Sequence, residues 1–328
     1  MTKITKIAIL VFLLVLLLTI FNLSCGKKDQ AKNPGGKLDK VSVRLKWLHS
    51  SQSVGFYVAD KKGFYKDSGI EATLNPGGMD FPAIQMVSDG KEQFGVAGAP
   101  QLLLAKEKAV PVVALAAIYR KDPGIIISFK NSNIKKLKDL IGKKLGVEYG
   151  SSVEQVYRSM MKNAGINPSY VIEVPQKYDY TSFLSGRIDA VFYWAMGDFL
   201  LEDNYKFNII WPSDYGVNFY CDTLFTTQDM IKNKADLVKR FVKATLRGFN
   251  YAYNHPEEAV SYALMYSDQL KKEQQEKYMQ ASLKFLKPDA KPIGYMEKKA
   301  WLKMQKALLE GGFMKKPVKI DEIYFAIK

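Results

Sequence analysis

The order of elements along the chain predicts an α/β protein of two lobes with a ligand cleft between them. Short apolar runs bounded by Gly and Pro alternate with helical stretches from residue 41 to 226, and a run of helical patterns follows from 236 to 310. Strands alternating with helices point to a parallel sheet covered by helices on both faces. The strand–helix layout also occurs twice, before and after Pro123-Gly124, without residue-by-residue repetition. A cleft between two such units is a favoured place for a small ligand.

The elements follow in order. Alternating apolar residues make 41–45 a strand with one face in a core. A polar loop with Trp47, His49, Ser50, Ser51, Gln52 and Ser53 comes next, then a helix over 54–62 that stops at Gly63, and a strand over 71–74. Asn75-Pro76-Gly77-Gly78 is a turn. A helix at 81–89, a strand at 94–97, a helix at 101–108 and a β-branched strand at 110–118 complete the first unit. The second has strands at 125–129, 144–148, 171–174 and 190–193, with helices at 137–141, 153–164 and 180–185. Strands at 208–211 and 222–226 precede helices at 236–254, 256–265, 272–286 and 297–310.

The N-terminus is read as an address and not as fold. Lys3 and Lys6 precede an apolar run at 7–21, shorter than the roughly 20 residues of a spanning helix, so 1–25 is expected to be a secretory signal. Cys25 stands where a bacterial lipoprotein carries its acylated cysteine, although Asn22 departs from the usual Leu. Lipidation there would tether the protein to a membrane without spanning it. Residues 26–40, GKKDQAKNPGGKLDK, read as a flexible tether.

Lysine and arginine total 48 against 33 acidic residues, but they are scattered along helical faces and form no clustered basic module, which argues against nucleic acid. Cys221, the one other cysteine, cannot form an internal disulfide once Cys25 is lipidated, and it reads as a buried thiol among Phe219, Tyr220 and Phe225. No P-loop, nucleophile elbow or metal-ligand spacing occurs. His49 is read as a loop residue, and His255 as a cap before Pro256. No catalytic residue, metal or cofactor is expected.

Aromatic residues stand at strand ends: Trp47, Tyr119, Tyr149, Tyr193, Trp194 and Tyr220. Tyr is frequent throughout this chain, yet these positions fall where the cleft should lie, and rings there can sandwich a flat ligand. Gly150-Ser151-Ser152 at a helix start either caps that helix or offers backbone N–H groups to an anion or carbonyl.

The segments KWLHSSQSVGFYVADKKGFYKDSGI, SDGKEQFGVAG, VPVVALAAI, LKDLIGKKLGVEYGS and FLSGRIDAVFYW resemble the thiamine-pyrimidine-precursor (thiamine pyrimidine synthase-like) family of ABC-transporter substrate-binding proteins, related to the nitrate, sulfonate and taurine binders. The resemblance implies a type II periplasmic-binding-protein fold, with lobe 1 at 41–121 plus 227–328 and lobe 2 at 122–226. It implies an exported bacterial lipoprotein, periplasmic or at the cell surface. As a monomer, it would bind a small planar heteroaromatic and deliver it to an ABC permease and its ATPase. A pyrimidine precursor for thiamine biosynthesis is favoured, with riboflavin or a sulfonate as alternatives. Trp47 with Tyr193 or Trp194 would stack on the ligand, and Gln52, Tyr119, Tyr149, Ser151 and Ser152 would line the site. The same family includes an enzyme, thiamine pyrimidine synthase, that needs a lysine for pyridoxal phosphate and donates its own histidine. Ala97 and Gln101 stand at those positions here, and of its iron-binding cysteine run only Cys221 remains, so the resemblance implies a receptor and not the enzyme.

Overall fold

The computed structural model describes residues 37–176, 179–197 and 205–326, without the side chain of Ser152. The expected signal, Cys25 and most of the tether lie outside the described residues. In β1 (Asp39–Arg44), Val41 and Val43 are buried while Asp39 and Lys40 are exposed, as the alternation predicts. β1 lies parallel to β2 (Ile70–Asn75) and β3 (Phe94–Ala97), with Val41 opposite Ala72 and Val43 opposite Phe94. Helices α1 (Val54–Lys61), α2 (Phe64–Asp67), α3 (Ala83–Ser88) and α4 (Ala99–Glu107) connect these strands and β4 (Val112–Ala117). Every residue of β4 is buried, the mark of a strand covered on both faces.

One turn of this lobe is set by close approach. A Cβ on Gly77 would lie 2.0 Å from the carbonyl oxygen of Leu45, so only glycine fits. That contact lets Gly77 N donate to Trp47 O at 2.9 Å. Arg44, ion-paired with Glu92, also donates to Pro76 O at 2.6 Å. The turn after β2 thereby fixes the loop after β1.

The second lobe holds β5 (Gly124–Phe129), β6 (Lys144–Val147), β7 (Ile172–Pro175), β8 (Ala190–Trp194) and β9 (Phe207–Ile210), in the order β7-β6-β8-β5-β9. Between them lie α5 (Ser152–Asn163) and α6 (Thr181–Leu184). Neither sheet is wholly parallel, which corrects the expectation. β5 runs antiparallel to β8 and β9, and β10 (Thr223–Thr227) runs antiparallel between β3 and β4. The strand expected in lobe 2 thus belongs to the first sheet. The chain returns from the second lobe in the opposite sense, and β10 fills the gap between β3 and β4.

Two crossovers join the lobes, and they bond to each other. Ile118 N and Tyr119 N donate to Asp222 O at 2.7 and 3.2 Å, and Cys221 N donates to Tyr119 O at 2.9 Å. Arg120 on the first crossover makes a two-pronged contact with Asp289, with Nη2 to Oδ2 at 2.9 Å.

After β10 the chain packs back on lobe 1 through α7 (Gln228–Asn233), α8 (Ala235–Asn254), α9 (Pro256–Ala263), α10 (Lys272–Leu286) and α11 (Lys298–Glu310). Phe241 of α8 stacks between Phe94 and Tyr65, at centroid distances of 4.0 and 5.2 Å. Gly248 lets α8 meet α1, because a Cβ there would lie 2.1 Å from Gly55 O. We expect Gly248→Ala to lower stability by roughly 3 kcal/mol, the upper end of overpacking costs, as a drop in the denaturation midpoint. The Arg120 contact draws the Asp289 carboxyl down from 3.8 to about 2. A depressed carboxylate stabilises the fold above its unfolded value, and that contribution fades as pH falls through about 2. Asp289 is half exposed, so Asp289→Asn should cost at most about 1 kcal/mol at pH 7. Thermal melts of the two proteins should converge as the pH approaches 2.

Candidate functional site

The loop after β1 delivers Lys46 to the foot of the cleft. Its Nζ donates to Asp222 Oδ1 at 3.0 Å and to Cys221 Sγ at 2.9 Å. Ser50 caps the short 3-10 turn Ser51–Ser53 by accepting from Gln52 N at 3.3 Å. The turn orients Gln52, whose Nε2 donates to Asp222 Oδ2 at 2.7 Å. Tyr278 OH on α10 donates to Gln52 Oε1 at 3.3 Å and accepts from Trp194 Nε1 at 3.0 Å. Trp194 ends β8, so this last bond joins the second sheet to a helix of the first lobe. The Lys46 ammonium lies 5.3 Å from the centroid of the Trp194 ring, within cation–π range.

Electrostatics follow from burial. Desolvation alone would lower the Lys46 pKa, but Asp222, then Cys221 and Asp122, outweigh it and hold the amine protonated. Burial pushes the Cys221 thiol well up despite Lys46. Asp122, on the first crossover, has its carboxyl raised by burial, with Lys46 offsetting part of the shift. Its Oδ1 accepts from Gly124 N at 2.7 Å. An ion-paired lysine and a thiol whose pKa burial raises are both weak nucleophiles.

The structure gathers some of the expected residues and separates others. Gln52 and Trp194 belong to the network, and Trp47, half-buried, follows Lys46 in the same loop. Tyr193 faces the other way, buried edge-on against Tyr180 at 5.0 Å. Alternation along β8 sends neighbouring side chains to opposite faces. Tyr119, on the first crossover, is wholly buried, and its hydroxyl has no hydrogen-bond partner among the described residues. Tyr149 is half exposed and donates to Glu173 Oε2 at 3.0 Å. Ser151 caps α5: its Oγ accepts from Glu154 N at 3.3 Å and donates to Glu148 O at 2.7 Å. Glu154 Oε2 takes Gly150 N at 2.8 Å. Of the two readings of that turn, the cap is the one these bonds serve. The side chain of Ser152 lies outside the described residues. His49 Nδ1 is 3.0 Å from Tyr57 OH, and its ring packs on Tyr57 and Tyr266, a loop residue as read.

Sequence reasoning passed over Lys46, Asp122, Asp222 and Tyr278. Asp222 had a signal, since it is the one charge inside the aromatic run FYCDTLF, where an acid must be paired to be buried. Tyr278 had none. It sits on a polar helix, KEQQEKYMQASLKFL, and only the packing of α10 brings it to the cleft.

Comparison with known proteins places this geometry. The chain is 22% identical to the formylaminopyrimidine-binding protein of Halalkalibacterium halodurans, over 95% of this chain and 97% of that one. It is 24% identical to the 4-amino-5-hydroxymethyl-2-methylpyrimidine phosphate synthase of Legionella pneumophila, over 75% of this chain and 79% of that one. Its fold matches the periplasmic aliphatic sulphonate binding protein SsuA of Escherichia coli with a TM-score of 0.70 at 15% identity, over 88% of this chain and 92% of that one. This is the two-lobed periplasmic-binding-protein fold. The model of the family described as NMT1/THI5 like matches residues 50–259, well over half of the chain, and the chain belongs to that family.

Proposed function

We propose that this chain is the extracytoplasmic solute-binding component of an ABC importer. It captures a small planar heteroaromatic, favoured as a pyrimidine precursor of thiamine, and hands it to a permease. One observation carries the reading: Trp194, Tyr278, Gln52 and Asp222 form a hydrogen-bonded chain across the cleft. An aromatic wall backed by oriented polar atoms is how small-molecule sites combine stacking with specificity. The name of the Halalkalibacterium relative supports the pyrimidine class. Trp47, Gln52 and Trp194 are our ligand contacts. Tyr149, Tyr193 and Ser151 are engaged elsewhere, while the buried Tyr119 hydroxyl has no hydrogen-bond partner among the described residues. The lobes would close by bending at the paired crossovers, as hinged binding proteins do. We place the protein outside the cytoplasmic membrane as a monomer, held by a lipid on Cys25.

The Legionella relative favours a second reading, the pyrimidine synthase. Against it, Ala97 is buried in β3 and Gln101 Oε1 accepts Gly98 N at 3.2 Å, capping α4. Lys46, the amine near the cleft, is held protonated by Asp222. The residues here fit neither a Schiff base to pyridoxal phosphate nor a donated imidazole.

Four measurements test the reading. A thermal-shift screen of aminopyrimidines, flavins and alkanesulfonates should find stabilisation by a pyrimidine, about 2.7 kcal/mol at a hundredfold excess over Kd. Trp194→Ala should weaken that ligand at least about tenfold, from the worth of a stacked pair plus lost burial. Pyrimidine product formed in the presence of iron and pyridoxal phosphate would sink the receptor reading. Cys25→Ser should move the protein from the membrane fraction to the soluble one. Retention on the membrane would overturn the lipid anchor alone.

A further inference from the structure

We propose that the end of the second lobe opposite the cleft is a membrane-docking surface that rests on anionic lipid headgroups. The inference uses the export reading above only for the presence of a bilayer, and it holds whatever solute the cleft takes.

Two stretches of chain build this surface. Residues 135–144, KKLKDLIGKK, carry five lysines against one acid. Folded, the stretch is one short 3-10 turn, Leu137–Leu140, leading into β6. Leu137 and Leu140 are buried, which leaves Lys135, Lys136, Lys138, Lys143 and Lys144 exposed together on the outside. The main chain stitches a second stretch to the first. Gly142 N donates to Tyr170 O at 2.7 Å and Ile172 N to Lys143 O at 2.9 Å, and Lys144 lies opposite Ile172 in the register of β6 and β7. Three large apolar side chains thereby join the lysines: Ile141 is 44% exposed, Tyr170 60% and Ile172 51%.

The acids of this region do not cancel the charge. Asp139 Oδ2 accepts Lys135 N and Lys136 N at 3.0 and 3.1 Å, and Asp189 Oδ2 accepts Lys144 N at 2.8 Å. Both carboxylates thus hold main chain. Glu173, the next residue of β7, is paired with Arg158. Arg187 is exposed two residues from Asp189, so six cations stand against Asp139 and Asp189. An anionic headgroup layer complements that excess. A soluble polyanion would use the lysines alone and leave the isoleucines and the tyrosine in water. At a bilayer surface the ammonium groups meet phosphates while Tyr and Ile enter the interface below them. Lys144 and Ile172 open β6 and β7, and β8 runs parallel to β6 and ends at Trp194. Docking at this end of the sheet therefore leaves the cleft free.

The test uses the mature chain from residue 26, without its lipid, sedimented with vesicles of phosphatidylcholine alone or with one-third phosphatidylglycerol. At low salt it should bind the anionic vesicles at least about tenfold tighter than the neutral ones. It should come off at about 0.5 M salt, where the screening length is roughly 4 Å. An acyl chain on Cys25 would survive that wash, so the two attachments are read separately. Lys136→Gln, Lys138→Gln and Lys143→Gln together should weaken binding about 100-fold. Tyr170→Ser should weaken it about 3- to 10-fold with the salt dependence unchanged. Lys232→Gln, Lys239→Gln and Lys303→Gln remove the same charge from exposed positions on α7, α8 and α11, and this variant should bind as the parent does. Equal loss in both triple variants would reduce the effect to net charge and overturn the surface. So would equal binding to the two vesicles, or no binding to either. Polyphosphate bound more tightly than the anionic vesicles would make the partner a soluble polyanion and overturn the membrane assignment. None of these outcomes bears on the solute, which the thermal-shift screen decides.

Discussion

The Lys46–Asp222 ion pair is the contact on which the rest depends. Lys46 leaves the end of β1 and Asp222 precedes β10, so the pair ties the first strand to the returning one. Asp222 also accepts Ile118 N and Tyr119 N through its main-chain oxygen. A single residue therefore pins both crossovers with its backbone and organises the cleft with its carboxylate. Burying two charges is expensive, and such a pair persists only when its remaining valences are satisfied, as Gln52 and Cys221 do here. Losing one partner of a buried pair typically costs about 3–5 kcal/mol, so neither charge can drift without the site.

From that anchor the order passes outward by hydrogen bonds. Gln52 takes its position from Asp222, Tyr278 from Gln52, and Trp194 from Tyr278. Chains of this kind polarise and stiffen one another. The wall of the cleft in the second lobe is thus oriented by a charge in the first. Arg120 and Asp289 hold the neighbouring stretch of crossover against the C-terminal region.

Much of the fold was legible, because strands and helices announce themselves by period and by Gly and Pro stops. Val41 and Val43 gave β1, and Ser151 gave the cap of α5. The direction of β10 was not legible, since its partners Ala97 and Ala117 lie more than a hundred residues away and a strand's period carries no sense of direction. Of the candidate site, Trp194 and Gln52 were picked out in the sequence, and Tyr278 joins them in one hydrogen-bonded chain. Tyr193 shows the limit: one residue along a strand is the difference between cleft and core. Asp222 and Tyr278 came together, through Gln52, only by way of the crossover and α10, which no local pattern reports.

The bridges of Gly294 to Ala117 and of Tyr324 to Ala114 carry one more consequence. β4, a central element of the early chain, is completed on both sides by residues made late: β10 and the tail. The first lobe cannot close its sheet until the last residues are available, whereas the second lobe spans one continuous stretch. Domains assemble as their contacts become available, and distant pairings are slow. The middle of this polypeptide is therefore able to fold first, with the two ends joining around it.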